Sequence, residues 1–381
     1  MLAWLQWNPH RELFTIPYID RPIAWYGFFF ALGFVIGYAL LLHICRSFFI
    51  KEPFFILSDV SNWSRFLMTL RNKKEDPFLH NFLASLPNPL RDKVFQWDLS
   101  KTIDDGFQKS LLFGLNHYLE QSDLLKDKKS RRNMFEELFP CCLAKLNEKV
   151  KFLAERLCFY TIIGTVVGAR LGHILFYENL SDYIMHPLRI LKTWEGGLAS
   201  HGAVVGIFIA FMVFRKKYIK QYPSLSLQRI LDFFVIPGAL GAFFIRIGNF
   251  FNQEILGKAT YLPWAIIFGD PADGSVPMPR HPAQLYEACF YLVVFFLLLR
   301  LKSKTKMLQQ AGKLSGVAFV LVFSFRFIIE FLKEEQSVYQ NMLANMGQML
   351  SIPFIIFGVF LYFSDYFFKR HSNKIFSQHI H

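Results

Sequence analysis

A short list of ionisable side chains interrupts stretches of this sequence that are otherwise apolar: Arg170, His201, Asp232, Arg246, Glu287, Arg326, Glu330 and Asp365. Inside a bilayer each such charge costs about 2.5 to 3.5 kcal/mol on insertion scales, which makes these residues functional candidates by default. The arginines set the chemistry. A guanidinium holds its charge at any working pH and matches phosphate oxygens two at a time, so the set reads as recognition of a phosphate anion. Arg246 has no acid one helical turn away and opens a dense polar run, RIGNFFNQEILGK, where an apolar segment should simply end. Arg326 and Glu330 stand four residues apart and can instead neutralise one another on one helix face. Arg170 reads equally as a donor to carbonyl oxygens of a neighbouring helix. His201, in GGLASHGAVVG, is either a packing residue or an acid–base group titrating near neutrality. No Ser-His-Asp arrangement, zinc-ligand spacing or glycine-rich phosphate loop accompanies them, so a nucleophile supplied by a second substrate fits better than one from the chain.

Elements that could hold these side chains at one depth are membrane helices. The chain has 381 residues, 53% hydrophobic and only 19% charged, with 45 Phe, far from the usage of a soluble domain. Several apolar runs reach the roughly 17 to 25 residues needed to span hydrocarbon. About seven spans are predicted, at 25–45, 157–177, 197–214, 230–251, 285–299, 314–332 and 347–368. Basic residues gather in the connections at Arg215, Lys216, Lys217, Lys220 and Arg229, at Arg300, Lys302, Lys304, Lys306 and Lys313, and in the tail at Lys369, Arg370 and Lys374. Those segments are predicted to be cytoplasmic, which places the N-terminus outside and the C-terminus inside. Read this way, the net charge of +13 reflects membrane topology and not nucleic-acid binding. The first residues lack a basic start followed by an apolar run, so the first span is expected to anchor the protein. In this orientation Arg170, His201, Arg246 and Arg326 all fall within about seven residues, some 10 Å, of the outer ends of their spans. Asp232 and Asp365 lie near cytoplasmic ends, within reach of the interface.

The predicted fold class is therefore all-α, a polytopic membrane protein with a soluble cytoplasmic insertion between its first two spans. Residues 1–50 carry the outer N-terminus and first span, 51–150 the insertion, and 151–381 the six further spans and a short tail. The insertion is highly charged, with amphipathic turns broken at PNP and DDG. It either buries a small core of Phe, Leu and Trp or remains a solvated loop, and its KDKKSRR run suits anionic headgroups. The five cysteines give no framework: Cys45, Cys158 and Cys289 lie in or beside apolar runs, and Cys141 and Cys142 are adjacent in a polar region.

The run RIGNFFNQEILGK resembles the signature of the bacterial prolipoprotein diacylglyceryl transferases, with Arg246, Gly248, Asn249, Phe250, Asn252, Glu254 and Gly257 at its fixed places. Further stretches are similar to the same family in the same order: WYG, GARLGHILFY, GGLASHGA, HPAQLYE, FRFIIEF and MGQMLSIP. The resemblance covers about residues 1 to 50 and 151 to 370, and departs from the family at Ser200, Ala203 and Val322. It implies transfer of the diacylglyceryl group of phosphatidylglycerol to the lipobox cysteine thiol of a prolipoprotein in the bacterial inner membrane, with release of glycerol 1-phosphate. It implies catalytic positions at His201, Arg246 and Arg326 and substrate-binding positions at Tyr26, Asn249, Glu254, Gly257 and Glu330. Asn252 from the same signature and Arg170 from the depth argument join the binding set. Neither metal nor cofactor is expected, because a clamped phosphate monoester can leave unaided. His201 either takes the thiol proton or only positions substrate. Two competing readings remain open here: a transporter or flippase with an anionic-lipid site, and a scaffold whose insertion binds a partner.

Overall fold

Apolar runs ended by basic clusters become long helices, and six of the described helices are long and apolar enough to cross a membrane: Trp25–Phe49, Glu148–Phe176, Leu227–Phe251, Ala283–Lys304, Lys313–Leu332 and Gly347–Ser364. The remaining predicted span, 197–214, falls on a 19-residue helix, Ser200–Tyr218, whose last turn carries Arg215, Lys216 and Lys217. The computed structural model describes residues 4–17, 21–49, 60, 62–73, 75–121, 134–135, 137–140, 142, 146–178, 180–191, 199–219, 222, 224–305, 307–334 and 346–378. Cys141 and the KDKKSRR run lie outside them.

In chain order the N-terminal strands are β1 (Leu5–Trp7), β2 (Glu12–Ile16) and β3 (Arg21–Ala24), followed by the helix α1 (Trp25–Phe49). Four helices follow within the insertion: α2 (Trp63–Asn72), α3 (Pro77–Ser85), α4 (Asn88–Gln96) and α5 (Asp105–Gln121). Next come α6 (Leu146–Tyr177), the short α7 (Leu180–Met185), α8 (Ser200–Tyr218) and α9 (Leu227–Phe251). The remainder is β4 (Ile266–Phe268), β5 (Pro279–Arg280), α10 (Ala283–Lys304), α11 (Lys313–Ile329) and α12 (Met346–Gln378). The helices form two compact units, Leu42–Leu225 in one and Met1–Leu41 with Ser226–His381 in the other.

Within Leu42–Leu225 the insertion folds around its own core, as the amphipathic turns allow. Asn62 caps α2 by accepting from the Arg65 N–H, and Asp76 caps α3 by accepting from the Phe78 and Leu79 N–H groups, with Pro77 in the first turn. Phe66, Leu70, Leu79, Phe82, Phe107 and Phe139 are among the side chains buried together, each contributing about 1.5 to 3 kcal/mol. The Phe66 and Phe139 rings stack at 4.4 Å, and Arg71 ties α2 to the end of α4 through the carbonyls of Val94 and Trp97. Cys142 is buried in this core. The alternative of a solvated loop is thereby corrected.

Beyond the insertion, α6 and α8 pack backbone to backbone. Gly164, Gly168 and Gly172 recur every fourth residue on α6 and face Gly202 and Gly206 on α8; a Cβ on Gly164 would stand 2.6 Å from the Gly206 carbonyl oxygen, and one on Gly172 only 2.7 Å from Gly202 Cα. Only glycine permits this approach, the usual small-residue seam of membrane helices.

The other unit holds α9, α10, α11 and α12, packed on one another, together with a small sheet. Strand β1 runs parallel to β4, which pairs antiparallel with β5, while β2 and β3 form a hairpin with an irregularity between Glu12 and Phe14. The fold is mostly helical, as expected, and these strands are short additions to it, each of five residues or fewer. Asp232 departs from its predicted interfacial role. It is fully buried, accepts from the Gly312 N–H and from the N–H and hydroxyl of Ser315, each at 2.8 Å, and so caps the start of α11. Gly312 holds φ +89°, a left-handed conformation that other residues rarely adopt. Arg229 lies 3.6 Å from Asp232 and donates to the carbonyls of Leu308 and Gln309. This staple welds the near ends of α9, α10 and α11 together.

Candidate active site

The signature run begins on the last turns of α9 and continues into a loop with an unusual backbone. Gln253 and Ile255 have φ of +53° and +57°, positions that cost a side-chain-bearing residue about 1 to 3 kcal/mol and persist only where neighbours over-determine them. The neighbours are visible. The fully buried Gln253 amide donates to Asn8 Oδ1 at 3.2 Å, its Oε1 accepts from the Asp270 N–H at 2.8 Å, and its carbonyl accepts from the Ala272 N–H. Trp7 stacks on Phe250 at 4.5 Å and donates to its carbonyl. The N-terminal strand thus braces the loop from one side.

From the other side the loop is held by the end of α11. Gly257 bridges to Lys333, the Lys258 N–H donates to Leu332 O, and the Glu334 N–H donates to Leu256 O. The buried Arg280 donates to Gly257 O and Glu334 and to Ser275. A Cβ on Gly257 would lie 2.7 Å from the His281 side chain, and one on Gly248 would lie 2.8 Å from the Tyr26 ring. The glycines of the signature are therefore places where another group fills the space of a side chain.

Within this frame the polar side chains form a continuous chain. Arg246 Nη1 donates to Asn249 Oδ1 at 3.0 Å, and Asn249 Nδ2 donates to Glu254 Oε1 at 2.7 Å. Asn252 approaches the same oxygen at 3.5 Å. The Nε edge of Arg246 lies 3.1 Å from Glu287 Oε2 on α10, and Lys333 Nζ lies 3.0 Å from Glu287 Oε1 and 3.3 Å from Glu330 Oε1. The Tyr291 hydroxyl stands against Arg246 as well. Glu287 is 0% exposed, so two cations flank one buried carboxylate, and removing any member would leave an uncompensated charge in a dry place. A guanidinium has more N–H donors than these contacts use and so retains donors for an anion.

Eight of the ten expected site residues, Tyr26, Arg246, Asn249, Asn252, Glu254, Gly257, Arg326 and Glu330, belong to this unit. Among them the structure joins Arg246, Asn249, Asn252 and Glu254 directly. The pairing that spacing leaves open to Arg326 and Glu330 is not found among the described residues. The helix tightens into a 3-10 turn at Glu330–Leu332, and Glu330 turns to Lys333 instead. Gly347 makes room for it, since a Cβ there would fall 2.5 Å from Glu330 Cδ. Arg170 and His201 belong to the other unit. Arg170 donates to the carbonyls of Ile190 at 3.1 Å and Arg189 at 2.7 Å, the carbonyl-binding role open to it from sequence. His201 stands in the first turn of α8, its side chain outside the described part.

Sequence reasoning leaves Glu287, Lys333, Tyr291 and Arg280 out of the site. Glu287 is visible as a charge in a span, but its partners, Arg246 on α9 and Lys333 beyond α11, come from distant parts of the chain, which spacing along one helix cannot reveal. Lys333 looks like part of a loop. Its signal is the i, i+3 spacing from Glu330 at a helix end.

The sequence model of the family described as prolipoprotein diacylglyceryl transferase matches residues 141–364. The phosphatidylglycerol–prolipoprotein diacylglyceryl transferase of Protochlamydia amoebophila is 42% identical over 362 residues, 94% of each chain. That of Tolumonas auensis is 45% identical over 54% of this chain and 77% of its own, and that of Chloroherpeton thalassium 45% over 55% and 75%. A match over 94% of the chain must run through most of residues 51–150. That relative therefore aligns with the insertion as well, whereas the family model begins only at residue 141 and leaves most of the insertion outside it, as the motifs do.

Proposed function

The chain belongs to the prolipoprotein diacylglyceryl transferase family, and from that membership we propose that it transfers the sn-1,2-diacylglyceryl group of phosphatidylglycerol to the lipobox cysteine of prolipoproteins. The cysteine thiolate attacks carbon 3 of the diacylglyceryl group. A carbon–sulfur bond forms, the carbon–oxygen bond to phosphate breaks, and glycerol 1-phosphate leaves with the electron pair. The observation that carries this reading is Arg246, fixed at its Nε edge by Glu287 and at Nη1 by Asn249, with donors still open to an anion. A guanidinium placed in advance stabilises charge developing on the departing phosphate without reorganisation during the step.

Arg326 supplies the second cation of the clamp, and Tyr26, Asn249, Asn252, Glu254, Gly257 and Glu330 shape the headgroup site. His201 accepts the thiol proton, since an imidazole is the side chain best suited to general-base work. Arg170 contributes to substrate binding by holding the turn at Pro187–Leu191. The protein sits in the bacterial inner membrane with seven spans, α8 among them, its N-terminus outside, its insertion and C-terminus in the cytoplasm. The transporter reading has no observation behind it. The deciding experiment incubates purified protein with phosphatidylglycerol and a lipobox peptide and follows both thioether product and glycerol phosphate. Release without thioether formation, or neither, would overturn the proposal.

A further inference from the structure

Beside the catalytic chain lies a cavity of about 340 Å³, within the range of about 300 to 1,000 Å³ typical of small-molecule sites. Its walls come from two places far apart in sequence. The β2–β3 hairpin and the residue before it give Arg11, Glu12 and Pro22, the signature loop gives Asn252 and Glu254, and Ala272, whose N–H donates to the Gln253 carbonyl, completes the wall. The hairpin is fastened by Arg11, which lies 2.8 Å from Asp270 Oδ2 and donates to the Asp270 carbonyl. The Arg11 carbonyl in turn accepts from the Trp25 N–H at the start of α1.

The chemistry of the walls restricts the occupant. Glu254 uses Oε1 for Asn249 and Asn252, while Oε2 has no hydrogen-bond partner among the described residues. Glu12 adds a second carboxylate. Two carboxylates repel an anion but accept hydrogen bonds from hydroxyl groups, while the charge of Arg11 is taken up by Asp270. The Asn252 amide offers both donor and acceptor, the pairing that vicinal hydroxyls need. Glu254 is also linked through Asn249 to Arg246, so a ligand whose phosphate meets Arg246 would reach the cavity with whatever that phosphate carries next.

From this geometry we infer that the cavity is a polyol subsite, in which Glu12 and Glu254 Oε2 receive the hydroxyl groups of a glycerol borne on phosphate, and that the hairpin is a specificity element. The inference rests on the transferase reading and deepens it. Glu12, which lies outside every motif of the signature, is the new residue. Its role is to select a hydroxylated headgroup before transfer and to hold the departing glycerol phosphate afterwards.

The test uses the full chain in detergent with two variants, Glu12→Gln and the cavity-filling Ala24→Leu, the latter on β3 at the same wall. Turnover is followed with phosphatidylglycerol, and inhibition is measured with glycerol 1-phosphate, with inorganic phosphate and with phosphatidylethanolamine. Loss of a hydrogen bond to a charged group predicts about a tenfold rise in KM for phosphatidylglycerol and about tenfold weaker inhibition by glycerol phosphate. Inhibition by inorganic phosphate should stay within about twofold, because it never enters the cavity. Equal weakening of both inhibitors would make Glu12 a general electrostatic residue and overturn the inference. So would unchanged KM and inhibition in both variants at an unchanged thermal midpoint. A larger effect on phosphatidylethanolamine than on glycerol phosphate would make the cavity an ammonium site, which also overturns it. Absence of turnover in the unaltered protein would instead remove the transferase reading itself.

Discussion

Arg246 Nε and Glu287 Oε2 lie 3.1 Å apart, although the two residues are carried by different helices and by different motifs. The carboxylate is fully buried and is shared with Lys333 at 3.0 Å. Breaking such a buried pair from one side typically costs about 3 to 5 kcal/mol, because the remaining charge is left without compensation. Glu287→Gln preserves shape but leaves Arg246 and Lys333 facing one another across a neutral amide. The variant should lose most of its activity and unfold at a markedly lower temperature in detergent. Wild-type melting with wild-type kcat/KM would show that the carboxylate is unimportant to both.

The seam between α6 and α8 makes a separate claim. Gly164→Leu would push a side chain into the Gly206 carbonyl, whereas a Cβ added at Gly241 would meet no heavy atom within 4 Å. Leucine at 164 should sharply reduce the yield of folded protein, while Gly241→Ala should leave yield and melting close to wild type. Fluorescence-detected size exclusion distinguishes the two outcomes.

What is legible in the sequence follows from where the information sits. Apolar runs name α1, α6, α9, α10, α11 and α12, because spanning a membrane is a local demand on consecutive residues. The run from Arg246 to Gly257 is equally plain, since polar residues at a span end have few innocent explanations. Asp232 is harder to read because its partners, Gly312 and Ser315, are some eighty residues away and meet it only after folding. Spacing alone offers Arg326 as a partner for Glu330, whereas the folded chain gives it Lys333, three residues on, where the helix passes into a 3-10 turn. The short strands escape notice because β1 gains meaning only against β4, more than two hundred residues later.

The proposed orientation can be read by thiol labelling, though not at the native Cys142 of the insertion, which is buried. Thr102 is exposed between α4 and α5. In intact cells an impermeant maleimide should miss Thr102→Cys and label it once the inner membrane is opened. Labelling from outside would invert the topology and move the site to the opposite leaflet.

His281 gives the structure a pH dependence whose sign can be worked out. Partial burial holds its pKa below the ordinary imidazole value, so the folded state binds its proton less readily than the unfolded chain. The associated stability is fully present above about pH 6.5 and is lost as pH falls through the lower folded value. Melting temperature should therefore drop between about pH 7.5 and 5.5, and the drop should be smaller in His281→Gln. An identical drop in both proteins would assign the acid sensitivity to other groups.

Arg246→Lys tests the phosphate clamp while keeping the formal charge. An arginine can face Glu287 along one edge, donate to Asn249 from Nη1 and still offer N–H groups to an anion, because its donors are spread around a rigid plane. An ammonium is compact; a lysine that reached Glu287 could not also reach Asn249 and a phosphate. Its loss should cost turnover about a hundredfold, the scale of removing one pre-placed donor at developing charge. Stability should change much less, since Lys still neutralises Glu287 and the buried pair survives. A purely structural Arg246 makes the opposite forecast, with activity and melting temperature falling together. Measuring kcat/KM and thermal midpoint on the same preparation separates them, and near-normal specific activity would remove Arg246 from the catalytic set.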